Sequence, residues 1–197
     1  MNIGVDIDNI LTNTTECVIK YINERIPNIN LKMEDLTSYW MEDILPPEFE
    51  WIAEMAFDDK KMWKNVEMIA GAAQALKKLY EEGHTIYFVT ATTAENFRKK
   101  ISFLSRNLPF LPEGYVKQHS ISIKQKQLLN LDVMIDDYLN NLIGDRLYYS
   151  ICMEYPWNRT SAPYRNFSYV KNWNEIYEKI HSLDEENWVI NKWKFLP

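Results

Sequence analysis

Residues 4–13 read GVDIDNILTN, and within them two carboxylates, Asp6 and Asp8, follow an apolar run of Ile3, Val5 and Ile7. A short apolar run that ends in charge reads as a buried strand whose carboxyl end opens onto a ligand site. Two carboxylates one residue apart repel, and each raises the other's pKa unless a cation lies among them. The stretch therefore sets both the fold and the chemistry to look for.

The chain beyond it alternates. Asn13, with Glu16 three positions on, is placed to cap a helix whose Val18, Ile19, Ile22 and Ile26 share one stripe before Pro27 stops it. Residues 28–66 differ in texture, with dense aromatics (Tyr39, Trp40, Phe49, Trp51, Phe57, Trp63) and the break Pro46-Pro47. They read as a mostly helical insertion. GAAQALKKLYEEG (71–83) is a helix closed by Gly83, and TIYFVT (85–90) a buried strand. Thr92 and Glu95 form a candidate capping box for a helix with Phe97, Ile101 and Leu104 on one face. A short helix near 124–131 precedes the strand DVMI (132–135), followed by a strand at 148–153 and an amphipathic helix at 170–180. Such alternation predicts an α/β fold, a parallel sheet with helices on both faces.

Composition limits the function. The chain has 197 residues and 23.5 kDa, 46% hydrophobic and 14% aromatic, enough for a sizeable core. A net charge of -6 without a Lys/Arg run disfavours a nucleic-acid polymer as partner. Cys17 and Cys152 have no ligand or redox spacing and read as free thiols of a reducing compartment. No leader is evident, and the longest uncharged apolar run, MIAGAAQAL, is too short to span a membrane, so the expected location is cytoplasmic. His84, His119 and His181 are scattered without ligand spacing. Trp173, Trp188 and Trp193 are open to three readings: core, a tail on the body, or a subunit contact that would make a homodimer.

Ligands of open α/β sheets bind beyond the carboxyl ends of the strands. Three strands end there in polar signatures: Asp6-x-Asp8, Thr90, and Asp136-Asp137. Four carboxylates without His or Cys suit Mg²⁺, with phosphate as its co-ligand. Asp6 is then placed as a nucleophile on phosphorus and Asp8 as general acid and base. Thr90 and the backbone beside it can hold phosphate, and a lysine between the second and third strands can neutralise it.

GVDIDNIL and VTATT resemble the first two motifs of the haloacid dehalogenase-like (HAD) phosphatases. QKQLLNLDVMIDD resembles the segment of the third and fourth, and YPWNR and VKNWNEIY resemble the closing segments. The likeness is closer to the 5'(3')-deoxyribonucleotidases of the cytosolic and mitochondrial type and their bacterial relatives, over nearly the whole chain. It implies a doubly wound, Rossmann-like core at 1–15 and 66–197 with a small helical cap at 16–65. It also implies a cytoplasmic, Mg²⁺-dependent phosphatase of nucleoside monophosphates acting through an aspartyl-phosphate. By the same resemblance Asp6 is nucleophile and Asp8 acid/base; Thr90 and Ala91 bind phosphate; and Asp6, Asp136, Asp137 and the Asp8 carbonyl hold the metal. Lys126, ten residues before Asp136, has the family's spacing for the phosphate lysine; Lys124 is its rival. Tyr39 and Trp40 align with an aromatic pair used against the nucleobase, though as cap-core aromatics they would look the same.

The chain departs from the family at three positions. Asn9 follows Asp8 where a small residue is usual, Ala91 follows Thr90 where Ser is frequent, and Thr14 falls where an aromatic meets the base. Two other functions fit the sequence: the same chemistry on another small phosphorylated metabolite, and a non-catalytic phosphoryl-binding protein. Retention of Asp6, Asp8, Thr90, Lys126 and Asp136 together argues against the last, because mere binding needs no acid/base beside a nucleophile.

Overall fold

The computed structural model describes residues 1–159, 164 and 166–191. Six parallel strands form one sheet: β1 (Asn2–Asp6), β2 (Thr85–Thr90), β3 (Ser120–Ser122), β4 (Val133–Asp136), β5 (Tyr149–Met153) and β6 (Phe167–Val170). Their spatial order is β3-β2-β1-β4-β5-β6, so the chain winds outward from β1, then crosses back to β4 and winds the other way. The reversal falls between β1 and β4. There the connections leave in opposite directions and open a crevice at the strand ends. Asp6, the last residue of β1, and Asp136, the last of β4, flank it.

Side chains alternate between the two faces, as the pleat requires. Ile3 and Val5 of β1, Val133 and Ile135 of β4, and Ile151 and Met153 of β5 pack on one face. That cluster is shared by the long helices α4 (Ala72–Glu81), α5 (Ala94–Asn107) and α8 (Trp173–Glu185). Met134 and Cys152 face the other way, against Leu131 and the short helix α7 (Leu139–Leu142). Gly4 also belongs to that side, where a Cβ would come within 2.5 Å of a Leu131 methyl and 2.8 Å of the Met134 sulfur. A strand with a side chain there could not pass so close beneath Leu131.

A second apolar cluster lies apart from the sheet. Helix α1 (Thr14–Arg25) contributes Cys17, Val18, Ile19, Tyr21 and Ile22. Leu31, Leu36, Leu45 and Val66 join it, with Ile52, Ala53 and Ala56 of α2 (Trp51–Asp58) and Met62 of α3 (Lys60–Trp63). Of the expected mostly helical insertion at 28–66, α2 and α3 are the α-helical part, and residues 28–50 contribute three single 3-10 turns (Met33–Asp35, Met41–Asp43, Pro47–Phe49).

Several local expectations shift. Asn13 occupies the start of α1, but its side chain accepts from the Glu67 N–H at 2.8 Å instead of capping the helix. Asn9 takes over, accepting from the Thr15 N–H at 3.0 Å. Helix α5 is capped by Thr93, one residue later than expected, through the Asn96 N–H. Gly83 holds the left-handed conformation after α4 with φ +88°, as expected. The segment near 124–131 is only a 3-10 turn at Lys126–Leu128. Strands β3 and β6, the helix α6 (Tyr115–Gln118) and α9 (Trp188–Asn191) were not expected. Trp173 and Trp188 are core residues of the first cluster; Trp193 lies outside the described residues. No helix among the described residues is long and apolar enough to cross a membrane.

Candidate active site

The carboxyl ends of β1 and β4 bring Asp6, Asp136 and Asp137 together, with one carboxylate oxygen of each within 4.8 Å of the others. All three are buried, at 6%, 1% and 1% exposure. Lys126 enters from the 3-10 turn before β4 and bridges Asp6 and Asp136, reaching the latter at 2.8 Å. Lys124 is exposed, so the geometry puts Lys126 in the pocket. Asp136 also accepts the Tyr138 N–H and the Asn141 side-chain amide, both at 2.9 Å. Asp137 accepts the Asn9 side-chain amide at 3.0 Å. The Asn158 amide, in the YPWNR segment, donates to the Asp137 carbonyl at 2.8 Å and fixes its backbone.

Burial sets the electrostatics. It pushes Asp6 up to about 7, with Lys126 pulling the other way and the Asp136 and Asp8 charges adding to the rise. Asp137 is raised well above its ordinary value, again by burial first and then by Asp136 and Asp6. Burial opposes the Lys126 charge, but Asp136 and Asp6 outweigh it and hold the ammonium more firmly protonated than usual. One lysine does not balance three buried carboxylates. Three hard oxygen donors without nitrogen or sulfur suit a small divalent cation, and one of that charge would relieve the excess.

Asp8 stands apart from this cluster. Its carboxylate is held at both oxygens, by the Thr14 hydroxyl at 2.9 Å and by the ammonium of Lys100. Lys100 also donates to the Thr90 hydroxyl at 2.9 Å. The expected pocket of four carboxylates is thus a triad, with a fourth on a separate hydrogen-bonded arm. Ala91 follows Thr90 on the exposed loop between β2 and α5. Tyr39 and Trp40 are exposed and in edge contact with one another at 5.2 Å between ring centroids. Tyr39 packs on Tyr138 at 4.0 Å, and Trp40 meets the same ring at 6.1 Å. Because Tyr138 directly follows Asp137, this aromatic group ties residues 39–40 to the rim of the carboxylate pocket.

Sequence reasoning missed Lys100, Asn141, Tyr138 and the part Thr14 plays. Lys100 gave no signal the sequence could resolve: only the rotation of α5 shows that it shares the buried i, i+4 row of Asn96 and Leu104 while Phe97 and Ile101 are half-buried. Asn141 and Tyr138 carried none beyond their nearness to the Asp pair.

Solved structures share the architecture. A HAD family hydrolase from Deinococcus radiodurans R1, with bound phosphate and sodium, matches with a TM-score of 0.56 at 14% identity, over 92% of this chain and 95% of that one. The fold is that of the HAD-like hydrolases. The chain belongs to the family described as 5' nucleotidase, deoxy (pyrimidine), cytosolic type C, which matches residues 1–185. It is therefore a phosphoric monoester hydrolase of the nucleotidase type. Proteins named 5'(3')-deoxyribonucleotidase in Bacillus subtilis (strain 168) and Bacillus phage SPbeta are each 25% identical to it over 180 residues, 90% of this chain and 97% of each relative.

Proposed function

We propose that this protein is an Mg²⁺-dependent phosphatase of deoxynucleoside monophosphates that works through an aspartyl-phosphate on Asp6. The carrying observation is the buried triad at the strand crossover, with Lys126 bridging Asp6 and Asp136. Asp6, Asp136, Asp137 and the Asp8 backbone carbonyl would hold the cation. Bound there, Mg²⁺ supplies charge neutralisation and a Lewis acid for the phosphoryl oxygens.

The residues divide the work. A carboxylate oxygen of Asp6 attacks phosphorus as the bond to the nucleoside oxygen breaks. The Asp8 carboxyl gives its proton to that leaving oxygen. Asp8, now a carboxylate, takes a proton from water, which attacks the phosphorus and releases inorganic phosphate from Asp6. Lys126 steadies Asp6 and offsets phosphoryl charge, and the Thr90 hydroxyl with the N–H groups at Ala91 and beyond holds the phosphoryl oxygens. Residues 16–65 are the cap over a core of 1–15 and 66–197, and Tyr39 and Trp40 present the flat surface that meets the base. Base stacking on aromatics is worth about 1–3 kcal/mol in single-strand binders, enough to shape preference.

Phosphate release with Mg²⁺ should be measured across deoxy- and ribonucleoside 5'- and 3'-monophosphates, sugar phosphates and p-nitrophenyl phosphate. The reading expects the highest kcat/KM on a deoxynucleotide and no turnover in excess chelator. A sugar phosphate preferred over every nucleotide would overturn the substrate assignment, and turnover in chelator would overturn the mechanism.

A further inference from the structure

Lys100 is 2% exposed, on the inward row of α5, and ends on two residues of the proposed machinery from different strands. It donates to Asp8, beyond the end of β1, and to Thr90, the last residue of β2. Burying an ammonium costs several kcal/mol before its partners are counted, and an aliphatic residue would fill the same row without that cost. Helix packing alone therefore gives no reason for a lysine here. Its contacts do, because they join the proton-transferring group to the phosphate-binding hydroxyl.

The other side of Asp8 is fixed as well. Thr14 donates to one oxygen at 2.9 Å and lies 2.8 Å from the Thr12 hydroxyl, whose single proton goes either to Thr14 or to the Ile7 carbonyl at 2.9 Å. Asp8 is thus gripped between a hydroxyl chain anchored in its own loop and an ammonium projecting from α5. Its side chain is still 24% exposed, open to an incoming group while its two oxygens are held.

We propose that Lys100 is a positioning residue: it orients the Asp8 carboxyl toward the leaving-group oxygen and sets its distance from the phosphoryl group held at Thr90. This rests on the role of Asp8 given above. Lys100 is not assigned contact with the phosphoryl group, whose charge falls to Lys126 and the cation.

A leaving-group comparison separates the possibilities. A deoxynucleoside 5'-monophosphate expels an alkoxide that needs the proton from Asp8; p-nitrophenyl phosphate expels an acidic phenol that does not. For Lys100→Met, the rate of the first, phosphoenzyme-forming turnover on the nucleotide should fall about 100-fold, the low end of general acid–base contributions, with less than about fivefold loss in that rate on the aryl ester. KM and inhibition by inorganic phosphate should stay within about threefold. Made in an Asp8→Asn background, Lys100→Met should cost less than about threefold more, since residues acting as a unit are not additive. If Lys100→Met does not fold, Lys100→Gln keeps a donor without the charge and carries the same comparison. Equal losses in that first-turnover rate on both substrates would overturn the proposal in favour of a structural lysine. A loss confined to KM and phosphate inhibition would overturn it in favour of a phosphate ligand. Failure of the wild type to turn over the nucleotide, with the aryl ester still cleaved, would instead sink the substrate reading.

Discussion

Two aspartates two positions apart are given different chemistry in the proposed mechanism, and their surroundings differ accordingly. Asp6 is buried beside Lys126 and pushed up to about 7, whereas Asp8 is held at both oxygens by Thr14 and Lys100. Replacing each by Asn should separate them. Asp6→Asn removes the nucleophile, so turnover should fall to background on every ester and no acid-stable trapping of phosphate on protein should be seen. Asp8→Asn leaves the nucleophile but removes donor and base, so nucleotide turnover should fall about 100-fold or more while p-nitrophenyl phosphate is cleaved in a single fast turnover. The phosphoenzyme should then persist, visible by intact-mass spectrometry on Asp6. An adduct on Asp8 would reverse the roles. Asp6, Asp8, Thr90 and the Asp136-Asp137 pair could be picked out as candidates in the sequence because each lies at or just beyond the end of a strand, where an open sheet places ligands. Lys100 could not, because a lysine in a helix of mixed polarity reads as solvated; only the helix's actual rotation shows that its row faces inward.

At the scale of elements, long segments with one strong period were the readable ones. Helices α4 and α8 and strands β2 and β4 fall within a few residues of their expected places. The three-residue β3 and the half-buried β6 gave too little signal for any pattern. Strand β1 carries a constraint that its apolar alternation hides: Gly4 lets the Leu131 methyl and Met134 sulfur lie against the backbone. Gly4→Ala should cost about 1–3 kcal/mol by overpacking, read as a lower denaturation midpoint with an unchanged slope. The aromatic group of Tyr39, Trp40 and Tyr138 makes a second prediction. Trp40→Ala and Tyr138→Ala should each raise KM for nucleotides by about 5- to 150-fold, the range of 1–3 kcal/mol in stacking. Neither should change KM for p-nitrophenyl phosphate by more than about twofold. Matching losses on both substrates would assign these rings to packing.

Across the whole molecule, the sheet and the segment from α1 to Val66 have separate apolar clusters, and the carboxylate triad lies at the carboxyl ends of β1 and β4. That site is bought with stability in the absence of a cation. Asp6 rises from its ordinary 3.8 to about 7, and Asp137 also rises, both chiefly through burial. A carboxyl raised in the folded state binds its proton more tightly there than in the unfolded chain. Its contribution is full below the ordinary value and is lost as pH rises through the folded value. The metal-free protein should therefore lose stability between about pH 4 and pH 7 through Asp6, and Asp137 adds a loss in the same direction. A divalent cation bound at the triad would take the place of the protons, so the stabilising effect of Mg²⁺ should grow across the same interval. At about 100 times its dissociation constant a ligand adds about 2.7 kcal/mol, which for a chain of this size corresponds to about 5–10 °C in Tm. Melting curves with saturating Mg²⁺ and with chelator should differ by that amount at pH 8 and by much less at pH 5.5. Asp137→Asn removes one of the raised carboxyls, so it should raise the metal-free Tm at pH 8 and shrink the response to Mg²⁺. A response to Mg²⁺ that is the same at both pH values and untouched by Asp137→Asn would place the cation somewhere other than this triad.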